Sequence, residues 1–374
     1  MKQTLLVWLV LGISALRGVD LITVSPDGEF RSIQAAIDAV EPGGVVRVAA
    51  GTYRGNLSIG KAVTLVGAGW DKTRVELPGD TESTLEATWE KAFTMLEKLP
   101  LSERQGQMRQ AFNLITNRAF FIYGTNEVTV RGMGFFWVGP RSVNPPAVRQ
   151  LVEITNAVVT LEEVAIVGSP KEGLRVYGSA RITLKDSLVA GNWGKGVWIG
   201  GREGIVRSAR IIDCDIRHNH LSHLTVSTGP EGGLIRGCRL YGSSFFGIRP
   251  GLNLQVEGNA IFDNARTAFY SMQSSVVISN NLILNNAFGG VSAWECKRHL
   301  IVNNTFVNTN AYGVTSVEKA NPMVRDNIFV GHANALRSMY STRRSGEQRV
   351  SGKFELGRNL FWRNGTNWTR TIPD

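Results

Sequence analysis

The sequence predicts an all-β protein wound as a right-handed parallel β-helix. Three observations carry this: a unit of 21–24 residues repeats through most of the chain, each unit holds short alternating apolar stretches, and asparagines mark a fixed turn. Ile278-Ser279-Asn280-Asn281, Ile301-Val302-Asn303-Asn304 and Val324-Arg325-Asp326-Asn327 align at a spacing of 23. Val256–Asn259, Ile235–Cys238 and Ile212–Cys214 extend the frame upstream, and Glu355–Asn359 extends it downstream. A second register appears in short segments such as Gly173–Tyr177, Gly247–Pro250 and Gly290–Trp294. One such unit cannot bury its own apolar face, but stacked units bury a continuous interior. Coils spaced at roughly 4.8 Å would make a rod about 50 Å long from ten of them. Leucine-rich repeats share the period, but their leucine-dense consensus is missing. Asparagines at 259, 281, 304, 327 and 359 are expected to form a bonded column and to adopt left-handed backbone geometry.

Taken from the start, Met1-Lys2-Gln3, the apolar run 5–13 and Ser14-Ala15-Leu16-Arg17-Gly18 have a signal-peptide layout over residues 1–18. The run is shorter than the ~20 residues a bilayer span needs. A membrane anchor or a buried first strand is the alternative. The expectation is a secreted or periplasmic protein whose mature part, 19–374, is one domain with no membrane span. Phe30, Ile33, Ile37 and Val40 follow helical spacing and end before Pro42-Gly43-Gly44, so a helix is expected to cap the open end of the solenoid. Residues 80–118 break the repeat. Ser83 with Glu86 and Ser102 with Gln105 make capping-box spacings on either side of Pro100, which predicts an inserted helical hairpin. Cys214, Cys238 and Cys296 form neither a disulfide framework nor a metal signature. Cys214 and Cys238 occupy equivalent repeat positions, as two stacked buried thiols.

The segment from Phe30 to Val40, followed by Gly51-Thr52-Tyr53 and Val63-Thr64-Leu65-Val66-Gly67-Ala68-Gly69, resembles the opening of pectin-lyase-like β-helix proteins, including pectin methylesterases and NosD-type periplasmic proteins. The resemblance covers most of the chain outside the inserted segment and implies the fold, secretion and a glycan partner. It transfers no catalytic residue. There is no Asp-Asp pair, Gly331-His332-Ala333 lacks the second glycine of the polygalacturonase turn, and Val197-Trp198-Ile199 continues into Gly200-Gly201 instead of an Asp-His pair.

Strand alternation divides the second register by face. With Leu174 and Val176 inward, Arg175 and Tyr177 point outward, and the same rule turns out Trp198, Arg249, Tyr270, Trp294 and Arg337, with Tyr123 and Glu153 in earlier coils. Aromatic faces stack on sugar rings, and arginine grips carboxylates through paired hydrogen bonds. A net charge of +10 suits the same client, an acidic uronate-containing polysaccharide. Single-stranded nucleic acid fits the pattern too, but export argues against it. The alternative is that these aromatics merely cover the sheet or pack under the hairpin. For chemistry, β-elimination needs a base near the C5 proton and a cation for the developing enolate, which selects His223 or His220 with Arg249 and Arg175. Turn histidines bonded to neighbouring backbone are the competing reading. Glu153 is the one acid in the stripe, so two-carboxylate hydrolysis is disfavoured, and no metal or cofactor is expected. A non-catalytic NosD-like scaffold, engaging a protein partner through 80–118, is the second function.

Overall fold

The computed structural model describes residues 20–77, 120–125, 127–138, 150–201, 204–296, 299–307, 312–339 and 351–370. The segments assigned to a signal peptide and to the inserted hairpin lie outside the described residues. The described residues wind into three parallel sheets of 13, 12 and 12 strands, in which strands pair with their counterparts one coil below and above. Sheet A runs from Leu21–Val24 to Glu355–Leu356, sheet B from Gly51–Arg54 to Leu360–Trp362, and sheet C from Leu57–Ile59 to Thr366–Arg370. From Val45–Val48 onward the strands follow in the order A, B, C.

The core is the sum of inward columns. On sheet A, Leu161, Leu184, Ile211, Ile235, Val256 and Ile278 pair in unbroken register and are fully buried. Sheet B ends in a phenyl stack, Phe306 on Phe329 on Phe361, with centroids 4.7 and 5.4 Å apart. Glycine is required opposite these rings. A Cβ at Gly290 would lie 2.6 Å from Phe306, and one at Gly313 would lie 2.6 Å from Phe329.

The asparagine column forms at the A-to-B corner. Nδ2 of Asn259, Asn281, Asn304 and Asn327 donates to Oδ1 of the next asparagine at 2.9, 2.9, 3.0 and 3.1 Å, ending on Asn359. The left-handed backbone, however, falls one residue earlier, at Asn280, Asn303 and Asp326, with φ of 56, 54 and 57°. The ladder asparagine itself stays in ordinary geometry, so its amide points inward along the axis. Cys214 and Cys238 continue the column, the Cys214 amide donating to Cys238 Sγ at 3.5 Å and the Cys238 amide to Asn259 Oδ1 at 2.9 Å. Both thiols are free and buried, and the hydrogen bond with Cys238 together with burial pushes the Cys214 thiol far up from its ordinary value.

A second ladder, at the B-to-C corner, went unrecognised in the sequence. Asn192 donates to Asn219 Oδ1 at 2.8 Å and Asn264 to Asn286 Oδ1 at 2.8 Å. The capping helix spans Ile33–Ala39, with Ser32 Oγ accepting from the Ala35 amide and Ile33, Ala36 and Ile37 buried against the first coil.

Candidate functional site

Pairing on sheet C places the outward residues in two columns. One runs Phe121, Glu153, Arg175, Trp198, Thr225, Arg249, and resumes with Tyr270, Ser292, Thr315 and Arg337. The other holds Tyr123, Thr155 and Tyr177 at one end and Met272, Trp294 and Val317 at the other. The predicted stripe is therefore one continuous face, and its two ends differ in what covers them.

In the early coils, outward does not mean exposed. Glu153 and Arg175, expected on an open groove, are 1% and 5% exposed. The Glu153 carboxylate accepts from the Tyr177 hydroxyl and from Gln150 Nε2. The Arg175 guanidinium lies 3.7 Å over the Trp198 ring and donates to the Gly200 carbonyl, fixing the turn that follows Val197–Ile199. Its donors and its flat face are thus engaged by the fold. Tyr123 keeps 39% exposure while stacking on Phe121 at 5.0 Å.

The later coils are open. Arg249 is exposed, with its guanidinium 5.9 Å from the Tyr270 ring centre. Tyr270 stacks on Phe246 at 4.5 Å and meets Trp294 at 6.3 Å, and Trp294 Nε1 donates to Ser292 Oγ at 2.8 Å. Phe246 continues to Phe245 at 4.1 Å, and Arg266 lies between Phe245 and Phe288, 5.4 and 4.8 Å from their centres. Arg337 sits 4.4 Å over Tyr312 at the far end. Among the described residues, Arg249, Arg266 and Arg337 have no carboxylate partner. Their ring-facing sides are covered and their N–H edges remain for an anion.

Phe245, Phe246, Arg266 and Phe288 were missed because they belong to corners rather than strands. A signal existed: the B-to-C corners 191–196, 218–223, 242–247, 263–268 and 285–290 are all six residues long. Equal length stacks equal positions, which brings Leu221, Phe245, Arg266 and Phe288 into one column.

The two candidate bases separate. His223 is fully buried, so of the two candidates it is not the one that reaches the groove. It occupies a corner position that neighbouring coils fill with Gly196, Gly247, Ala268 and Gly290, and its imidazole enters the room they leave. Nδ1 lies 3.1 Å from Asn219 Nδ2, so the ring joins the inner amide ladder. Burial holds its pKa down at about 3, which keeps it neutral. His220 is exposed and stacks on Trp193 at 4.3 Å, on the ridge flanking sheet C. No group of three or more His, Cys, Asp or Glu side chains among the described residues could hold a metal ion.

Fold and corner ladders define a parallel solenoid with an aromatic and basic outer face. The family profile described as a right-handed beta helix region matches residues 118–299 and 206–346, and the chain belongs to that family. No curated protein compared with it matches. Among solved structures, the A-module of Azotobacter vinelandii mannuronan C-5 epimerase AlgE4 is 16% identical with a TM-score of 0.55, covering 91% of this chain and 95% of that one. The AlgE6 A-module from the same organism is 17% identical with a TM-score of 0.53, over 91% and 95%. A point mutant of the periplasmic alginate epimerase AlgG is 10% identical with a TM-score of 0.59, over 93% and 84%. At these identities the likeness is one of fold.

Proposed function

We propose that this β-helix is an exported protein that binds an acidic polysaccharide across the late coils of sheet C. The observation that carries this is the continuous platform Phe245–Phe246–Tyr270–Trp294 with Arg249 and Arg266, unpaired, on its surface. Sugar rings would stack on the aromatic faces while the guanidinium edges hold carboxylates. The names of the fold neighbours, two mannuronan C-5 epimerases and an alginate epimerase, support a uronate polymer as the client.

If the protein also acts on its polymer, the reaction starts by removing the proton on the carbon next to the carboxylate. A guanidinium stabilises the resulting enolate. Expelling the neighbouring glycosidic oxygen completes a β-elimination, whereas reprotonation from the opposite side inverts the centre. His220 is the candidate base that faces solvent, with Arg249 as its electrophilic partner. Purified protein should retard on affinity gels containing alginate or polygalacturonate, and a Tyr270→Ala, Arg249→Ala variant should not. Unsaturated ends detected by ultraviolet absorbance would establish elimination, and an altered uronate composition by proton NMR would establish inversion. Retardation with neither product would define a binder.

A scaffold role has its own observation. On sheet B the outward residues Phe262, Leu282, Leu284, Val307, Ile328 and Val330 carry no charge, and Leu282 and Ile328 are well exposed. A Leu282→Lys, Ile328→Lys variant that loses a co-purifying protein while keeping glycan retardation would favour that reading.

A further inference from the structure

A cavity of about 640 Å³ lies on the outside of sheet A, away from the sheet C platform. Its origin is a step between successive corners. The C-to-A corner of residues 227–232 is followed one coil later by Gly251 alone between strands Ile248–Pro250 and Leu252–Glu257. The long corner overhangs the sheet where its successor leaves space. Beneath it the sheet register shifts between Leu252 and Leu254, with Asn253 in left-handed geometry at φ 55°.

The overhang is anchored at both ends. Arg181 holds Glu231 through two bonds of 2.7 and 2.6 Å, across a separation of fifty residues. Thr228 Oγ1 donates to the Leu252 carbonyl at 3.2 Å, and Asn253 Nδ2 donates to the Gly229 carbonyl at 3.2 Å. Because Arg181 occupies both oxygens of Glu231, the acid on the wall is already neutralised. The floor pairs Arg210, Leu234, Gln255 and Val277 in register over four strands. Arg210 is exposed, and neither it nor Gln255 makes a side-chain hydrogen bond or ion pair among the described residues. The cavity thus offers an uncompensated guanidinium and an open amide, with Leu234 between them and Val277 beyond the amide.

We infer that this cavity is a second ligand site, taking a sugar acid of one or two rings with its carboxylate on Arg210 and its hydroxyls on Gln255. Its volume falls within the roughly 300–1,000 Å³ of small-molecule sites. Leu234, between the two polar groups, faces the C–H side of the ring, and the guanidinium fork selects acid over neutral sugar. The site stands whether or not sheet C binds a polymer, since no residue is shared.

The test uses the full chain carrying Arg249→Ala and Tyr270→Ala, which silences the platform. D-glucuronate is titrated by saturation-transfer NMR, with D-glucose as the neutral control. Saturable glucuronate binding should persist, glucose should bind at least tenfold more weakly, and adding Arg210→Ala should weaken glucuronate at least tenfold. Gln255→Ala should cost a few-fold, and neither change should move the melting temperature. Equal binding of the two sugars, loss of glucuronate binding in the silenced background, or indifference to Arg210→Ala would each overturn the site.

Discussion

The early and late coils of sheet C carry the same kind of outward column, charged and aromatic residues at a single register, yet they are built for different ends. Around Glu153 and Arg175 both charged groups are committed: the carboxylate to Tyr177 and Gln150, the guanidinium to Trp198 and the Gly200 carbonyl. Around Arg249 and Arg266 the rings are stacked but the donors are idle. An arginine over an aromatic ring is therefore not itself a sign of a ligand site. The distinguishing feature is whether its N–H edge already has a partner.

The sharpest way to break this comparison is at its buried end. Glu153→Ala leaves the Tyr177 hydroxyl and the Gln150 amide without their acceptor, and should cost about 2–4 kcal/mol in chemical unfolding. A loss under about 0.5 kcal/mol would mean the early stretch is as loosely held as the late one. The second effect is the reverse. Arg249→Ala should leave stability within about 0.5 kcal/mol while weakening polyuronate binding about tenfold, close to 1.4 kcal/mol, by calorimetry.

Acid should act on the interior rather than on the platform. Burial sets His223 at about 3 and His299 at about 4, below the ordinary 6.5, so both are neutral in the fold. The unfolded chain takes up protons below that ordinary value and the folded chain does not. Stability present above pH 6.5 is therefore lost as pH falls toward 4 and 3. His223→Asn should flatten the decline of melting temperature between pH 7 and 4, and an unchanged slope would refute a buried neutral imidazole. The smallest expected effect is Arg249→Lys, which keeps the charge but loses the planar fork; it should cost only a few-fold in binding and leave melting unchanged.

The fold was legible because its signal is redundant. Asn281, Asn304 and Asn327 announce the same corner three times, and apolar alternation between them repeats the message. The outward column was legible for the same reason, since alternation fixes which way Arg175 or Tyr270 points. Alternation says nothing about cover, so it could not distinguish buried Glu153 from exposed Arg249. It also stops at strand ends, which hid Phe246 and Arg266. His223 misled because a histidine in a turn is ordinarily at the surface; only the run of Gly196, Gly247 and Gly290 at the same corner position hints at an inner socket.

The amide ladders have a further implication for how such a protein changes over time. Each rung receives from the neighbour on one side and gives to the neighbour on the other, so duplicating or excising one whole winding restores every partnership, whereas adding or removing a few residues within a winding disrupts two. Lineages can thus lengthen or shorten the molecule in complete rungs without redesigning what lies inside.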